Sequence, residues 1–156
     1  MYNMTIRKAQ IEDVSAIYQL ILELAAFEKG LHEVTMTAAQ LAKDFDLKLY
    51  DCFVAEIDKT IVGISLYYFR YSTWKGKRLY LEDIIVTESY KKQGIGKKLL
   101  DISIEEAKKT DCSGMMWQVL NWNTSAIDFY KKYPVKLDDE WINVSLNFDN
   151  NKLTIN

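Results

Sequence analysis

The residues best suited to chemistry cluster between Leu79 and Leu100, LYLEDIIVTESYKKQGIGKKLL, where a strand-like apolar run meets a polar turn, two glycines one residue apart and a helical pattern. Such a turn can hold a pyrophosphate. N–H groups in the first turn of a helix have no partner within it and carry the positive end of its dipole, so phosphate oxygens can take them. Gly94 and Gly96 allow close approach because neither carries a Cβ, and Lys91, Lys92, Lys97 and Lys98 add positive charge. The spacing separates this turn from two familiar nucleotide loops. A dinucleotide fingerprint would need glycine where Leu99 stands, and a Walker-type loop would need it at Lys91.

Proton transfer falls to carboxylates and tyrosines, because His32 is the only histidine and neither Cys52 nor Cys112 has a C-x-x-C partner. That inventory argues against a structural zinc site, any other metal centre of this kind, and hydrolases built on a His base. The two cysteines read as buried free thiols. Glu82 and Asp83 interrupt an otherwise apolar strand, and alternation sends them to opposite faces, which argues against a carboxylate dyad. By composition alone Glu82 reads as a strand-end carboxylate paired with a lysine. Tyr130, one of ten tyrosines, by itself reads as a packing residue.

The elements that must position these groups fit one domain spanning residues 1–156, with 49% hydrophobic and 27% charged residues typical of a globular chain. A net charge of -2 gives no electrostatic reason to expect nucleic acid or a membrane as partner. The N-terminal MYNMTIRKAQ lacks the apolar core of a signal peptide and no apolar run approaches a membrane span, so a cytoplasmic protein is expected.

Met4 to Lys8 alternate as a strand, and Val14, Ile17, Ile21 and Leu24 recur at helical spacing. Thr37 and Gln40 suggest a capping box ahead of a second short helix. Phe27 to Met36 is a loop between these helices. Cys52 to Ile57 and Ile61 to Tyr71 form a hairpin across Asp58-Lys59-Thr60. Leu79 to Val86 is the next strand, followed by a helix to about Lys109 and a strand from Met115 to Leu120. Asn123 to Tyr133 reads as a last helix stopped by Pro134, and Trp141 to Phe148 as a strand closing the sheet. The result is an α/β fold, a mixed central sheet with helices on both faces.

K-K-Q-G-I-G resembles the Q/R-x-x-G-x-G/A signature of the GNAT acetyltransferases, with Lys91 replacing the usual Arg or Gln, and the element order resembles their topology over essentially the whole chain. LILELAAFE (20–28), GISLYYFRYSTWKGK (63–77), LYLEDIIV (79–86) and NWNTSAIDFYKK (121–132) are similar to the diamine acetyltransferase branch, that of spermidine/spermine and thialysine acetyltransferases. The resemblance implies acetyl-CoA as donor, a small amine as acceptor, a splayed strand pair at the cofactor site and a homodimer. It makes Glu82 the base, acting directly or through water, and Tyr130 the acid that protonates the leaving thiolate. It assigns the backbone of Ile84, Ile85 and Val86, the turn Lys91, Lys92, Gln93, Gly94, Ile95, Gly96 and Lys97, and Asn123, Thr124, Ser125 and Ala126 to the cofactor. It assigns Phe27, Glu28, Glu82, Met116, Trp117 and Gln118 to the amine, with Asp139 or Glu140 as a distal carboxylate. Tyr133-Pro134-Val135 departs from the Gly-containing turn usual there, and Tyr67 to Trp74 is compatible with an interface. Two other readings share the cofactor: acetylation of a protein N-terminus or lysine, and a non-catalytic acyl-CoA sensor.

Overall fold

The computed structural model describes residues 3–148. Strand β1 (Met4–Lys8) leads through a short 3-10 turn into helix α1 (Val14–Phe27), followed by α2 (Ala38–Asp46). Strands β2 (Asp51–Ile57), β3 (Thr60–Ser72) and β4 (Gly76–Val86) come next, then helix α3 (Ile95–Lys109), the two-residue strand β5 (Met115–Met116) and helix α4 (Thr124–Tyr130). Among the described residues the strands form one sheet in the order β1-β2-β3-β4-β5, antiparallel except for the parallel β4–β5 pair. By contacts the chain divides into two compact units, Met1–Leu120 and Asn121–Asn156. The sheet and the first three helices lie in the first, α4 in the second.

Local chemistry explains most boundaries. Asp58 and Lys59 both take positive φ, 47° and 67°, which suits the two-residue hairpin turn whose twist matches the flanking strands. Thr37 caps α2 by accepting from the Gln40 N–H at 3.2 Å. The reciprocal half of the expected capping box is not made, because the Gln40 amide donates instead to Asp44, one turn on, at 2.7 Å.

Alternation along β2 and β3 divides the first unit's core. Cys52, Val54, Ile64 and Leu66 meet Val14, Ile17 and Leu20 of α1 and Leu41 and Phe45 of α2 in one apolar cluster. The opposite face receives α3, whose Leu99, Leu100, Ser103 and Ala107 are buried at helical spacing. There the Ser103 hydroxyl donates to the Leu99 carbonyl at 2.8 Å and lies 2.6 Å from the Ser65 hydroxyl. The Lys8 ammonium donates to Asp51 at 2.6 Å and Glu106 at 2.9 Å and touches the Tyr67 hydroxyl, tying β1, β2, β3 and α3 at one end. Cys52 is buried and Cys112 half-buried, both as free thiols.

Gly63 marks the closest approach of α3 to the sheet. A Cβ there would lie 3.1 Å from both the Ile85 carbonyl oxygen and Leu99 Cδ1. The carbonyl belongs to the β3–β4 ladder and cannot yield alone. Gly63→Ala is therefore expected to cost roughly 1–3 kcal/mol in urea denaturation; an unchanged midpoint would show that α3 lifts freely from the sheet.

Three sequence expectations are corrected. Only Met115 and Met116 of the expected 115–120 strand pair with β4, opposite Leu79 and Tyr80, and Trp117 to Leu120 leave the ladder. The last helix ends at Tyr130, before the expected Tyr133, with Lys131 as its cap. Residues 141–148 form no strand. Trp141, Ile142, Val144, Leu146 and Phe148 are exposed, and an alternating pattern alone does not make a strand. The segment Tyr67 to Trp74 divides: Tyr67 is fully buried, whereas Tyr71 and Trp74 are exposed at the hairpin tip.

Candidate active site

The site grows from β4. One of its edges is paired with β3, Ser65 facing Ile84, Ile64 facing Ile85 and Gly63 facing Val86. Its other edge meets β5 only at Leu79 and Tyr80, so no strand among the described residues pairs with that edge from Leu81 onward. This splay leaves main-chain groups of Ile84, Ile85 and Val86 available to an extended ligand.

Where the splay begins, the β3–β4 register shifts. Leu66 pairs with Asp83 and Tyr67 with Leu81, leaving Glu82 as the extra residue of a β-bulge. A bulge interrupts the alternation on which the expected opposite-face disposition of Glu82 and Asp83 relied. Asp83 shares its partner Leu66 with the α1 face. Glu82 is exposed and bonds the Tyr68 hydroxyl, and Tyr68 pairs with Tyr80, their rings 5.2 Å apart. Burial raises the pKa of both phenols, and the nearby charge of Glu82 raises it further. Both therefore stay protonated beside the carboxylate and act as donors or neutral walls.

Three carboxyl groups meet here. Asp83 is pushed up to about 6, chiefly by burial, then by Glu82 and by Glu28. Glu28 caps the C-terminal end of α1, and partial burial raises its pKa too. Phe27 is the last residue of that helix rather than part of the loop after it, and is 48% exposed. Met116 lies opposite Tyr80 in the ladder, and its sulfur accepts from Arg70 at 3.2 Å. Thus Glu28, Glu82 and Met116, all singled out from the sequence, meet residues of β4, Phe27 meets Lys91 in the turn after it, and Trp117 and Gln118 follow β5 outside any element. Tyr68 and Tyr80 were not singled out from the sequence, and Asp83 was read there only as an acid facing away from Glu82. The signal for the tyrosines was their place on either side of a hairpin; the signal for Asp83 was a second acid in an apolar strand.

The turn after β4 opens helix α3. Gly94 caps α3 with φ 79°, a left-handed conformation that glycine adopts without strain. Gly96 has no such requirement, and a Cβ there would meet only Val86 Cγ2, at 3.9 Å. Among the described residues, position 96 therefore has room for a Cβ at ordinary van der Waals distance. Lys92 also takes positive φ, 62°. Lys91 pairs with Glu88, and Lys97 with Asp101 one turn along α3.

In the second unit, Asn123 caps α4, its side chain accepting from the Ala126 N–H at 3.2 Å, with Thr124 and Ser125 in the first turn. Tyr130, the last residue of α4, is buried and packs its ring 5.4 Å from that of Phe129. Asp139 and Glu140 lie in irregular, exposed chain, where the Glu140 N–H donates to Asp138. Among the described residues no three His, Cys, Asp or Glu side chains converge as a metal-ligand set.

A splayed parallel strand pair beside a glycine-opened helix, with acid groups at the splay, defines a class of acyl-transfer protein, and the sequence match agrees: the chain belongs to the Acetyltransferase (GNAT) family, whose profile covers residues 15–133. It is an acetyl-CoA-dependent N-acetyltransferase. Thialysine N-epsilon-acetyltransferase of Bos taurus is 42% identical to it over 136 residues, 81% of this chain and 80% of the relative. Spermidine/spermine N(1)-acetyltransferase-like protein 1 of Homo sapiens is 40% identical over 134 residues, 80% of this chain but 19% of that longer protein. An aminoglycoside acetyltransferase from an uncultured soil metagenomic sample, solved with trehalose, shares the fold with a TM-score of 0.78 at 20% identity, covering 94% of this chain and 97% of its own.

Proposed function

We propose that this acetyltransferase modifies a primary amine of a small diamine, polyamine or thialysine-like molecule. The observation that carries the reading is the meeting of Glu28 and Glu82 with Asp83 on β4, the strand whose β5 edge is paired, among the described residues, only at Leu79 and Tyr80. Several carboxylates at one place suit a molecule with more than one positive centre, and the names of the relatives point the same way.

Glu82, directly or through a water, takes a proton from the bound ammonium. The freed amine nitrogen attacks the thioester carbonyl, a main-chain N–H near Ile84 steadies the oxyanion, and as the carbon–sulfur bond breaks the nitrogen gives its second proton to solvent and the amide forms. Tyr130 gives its phenolic proton to the departing thiolate and recovers one from solvent. The net result is one amide, one thiol and one proton released. In this reading the turn from Lys91 to Lys97 holds the pyrophosphate, and the motif that begins at Asn123 belongs to the cofactor as well.

Mass spectrometry of reactions with spermidine, thialysine, lysine and short peptides tests the reading. Singly acetylated small amines are expected. Acetylated peptides beside unreacted small amines would transfer the activity to protein substrates, and acetyl-CoA binding without any product would remove the proposed acceptor class.

A further inference from the structure

Lys91 stands at the first position of the phosphate-turn motif, yet its ammonium lies 5.0 Å from the centroid of the Phe27 ring while pairing with Glu88. Phe27 closes α1 and precedes Glu28, whose carboxyl acts on Asp83. One side chain thus spans from the turn that opens α3 to the end of α1. A second tie runs beside it: the Thr87 hydroxyl donates to Glu23 of α1 at 2.7 Å.

A lysine is a point charge on a flexible stem, without the rigid planar fork of arginine, so its usefulness to a phosphate depends on something holding it in place. Here an aromatic face and Glu88 hold it. We infer that Phe27, through Lys91, is a positioning residue for acetyl-CoA, so that the amine end of the site and the phosphate end are energetically coupled. The inference rests on the reading of Phe27 as part of the amine site. By linkage, an amine that packs on Phe27 changes acetyl-CoA affinity by the same factor that acetyl-CoA changes its own.

The test is a double-mutant cycle read by calorimetric titration of acetyl-CoA into the full chain without amine. Phe27 and the Lys91 side chain are both substantially exposed, 48% and 40%, so neither variant removes core packing. An exposed cation–π contact corresponds to about a 2- to 5-fold change in affinity. Phe27→Leu is expected to weaken acetyl-CoA binding by about that factor in the Lys91 background and to have no effect in the Lys91→Met background, with Lys91→Arg retaining the sensitivity. An unchanged dissociation constant for Phe27→Leu, or the same loss in both backgrounds, overturns the coupling. A silent amine panel would overturn the proposed acceptor while leaving this cycle intact, and a null cycle would leave the panel's result standing.

Discussion

Glu82→Gln is expected to lower kcat/KM toward small primary amines by about 10²- to 10³-fold while leaving acetyl-CoA affinity unchanged. A lysine-like amine with a pKa of about 10.4 is neutral in roughly one molecule per thousand near pH 7, a handicap of about 4–5 kcal/mol that a positioned proton acceptor reduces. Glutamine keeps the size of the side chain and an oxygen for the Tyr68 hydroxyl, so the bulge that presents position 82 should survive. What disappears is the charge and the capacity to take a proton. Activity of the variant should recover as pH rises, because solvent then supplies the neutral amine. Thiol release followed from pH 6 to 9.5 gives the answer, and undiminished turnover at neutral pH would strip Glu82 of its proposed role. Tyr130→Phe, assayed alongside, should lose a similar factor without that recovery, since raising the pH does nothing to protonate a thiolate.

Asp83→Asn is expected to stabilise the free protein above neutral pH. Burial, then the charges of Glu82 and Glu28, raise the Asp83 carboxyl to about 6 from an ordinary 3.8. Because the folded-state value is the higher one, the fold holds this proton more tightly than the unfolded chain does. The associated stability is fully present below the unfolded value, declines as pH rises, and is gone once pH passes about 6. A shift of about two units corresponds to at most about 3 kcal/mol. Asparagine carries no charge to bury, so at pH 7.5 the variant should melt about 4–10 °C higher, the gap closing as pH falls toward 4. Thermal unfolding across that range is the measurement; equal stability at pH 7.5, or a gap independent of pH, would refute the account of Asp83.

The sequence by itself determined the elements whose patterns are local. The alternation of Met4 to Lys8, the heptad-like spacing from Val14 and the glycine turn opening α3 are properties of neighbours along the chain, and β1 takes the predicted bounds. The family was legible for the same reason, carried by short runs of residue types at fixed spacing. Only the tertiary structure decided the rest. The register shift that makes Glu82 a bulge depends on how β3 lies against β4, and once alternation breaks there, sequence parity no longer says which way Asp83 points. The surroundings of Asp83 come from α1, more than fifty positions away, and Lys91 finds Phe27 only because the end of α1 and the phosphate turn meet. The alternating residues 141–148 make the converse point, for a strand exists only where another strand accepts its hydrogen bonds. Period is written in a segment; register, burial and pairing belong to its neighbours in space, which is why the family could be named from the sequence while the charge environment of Asp83 could not.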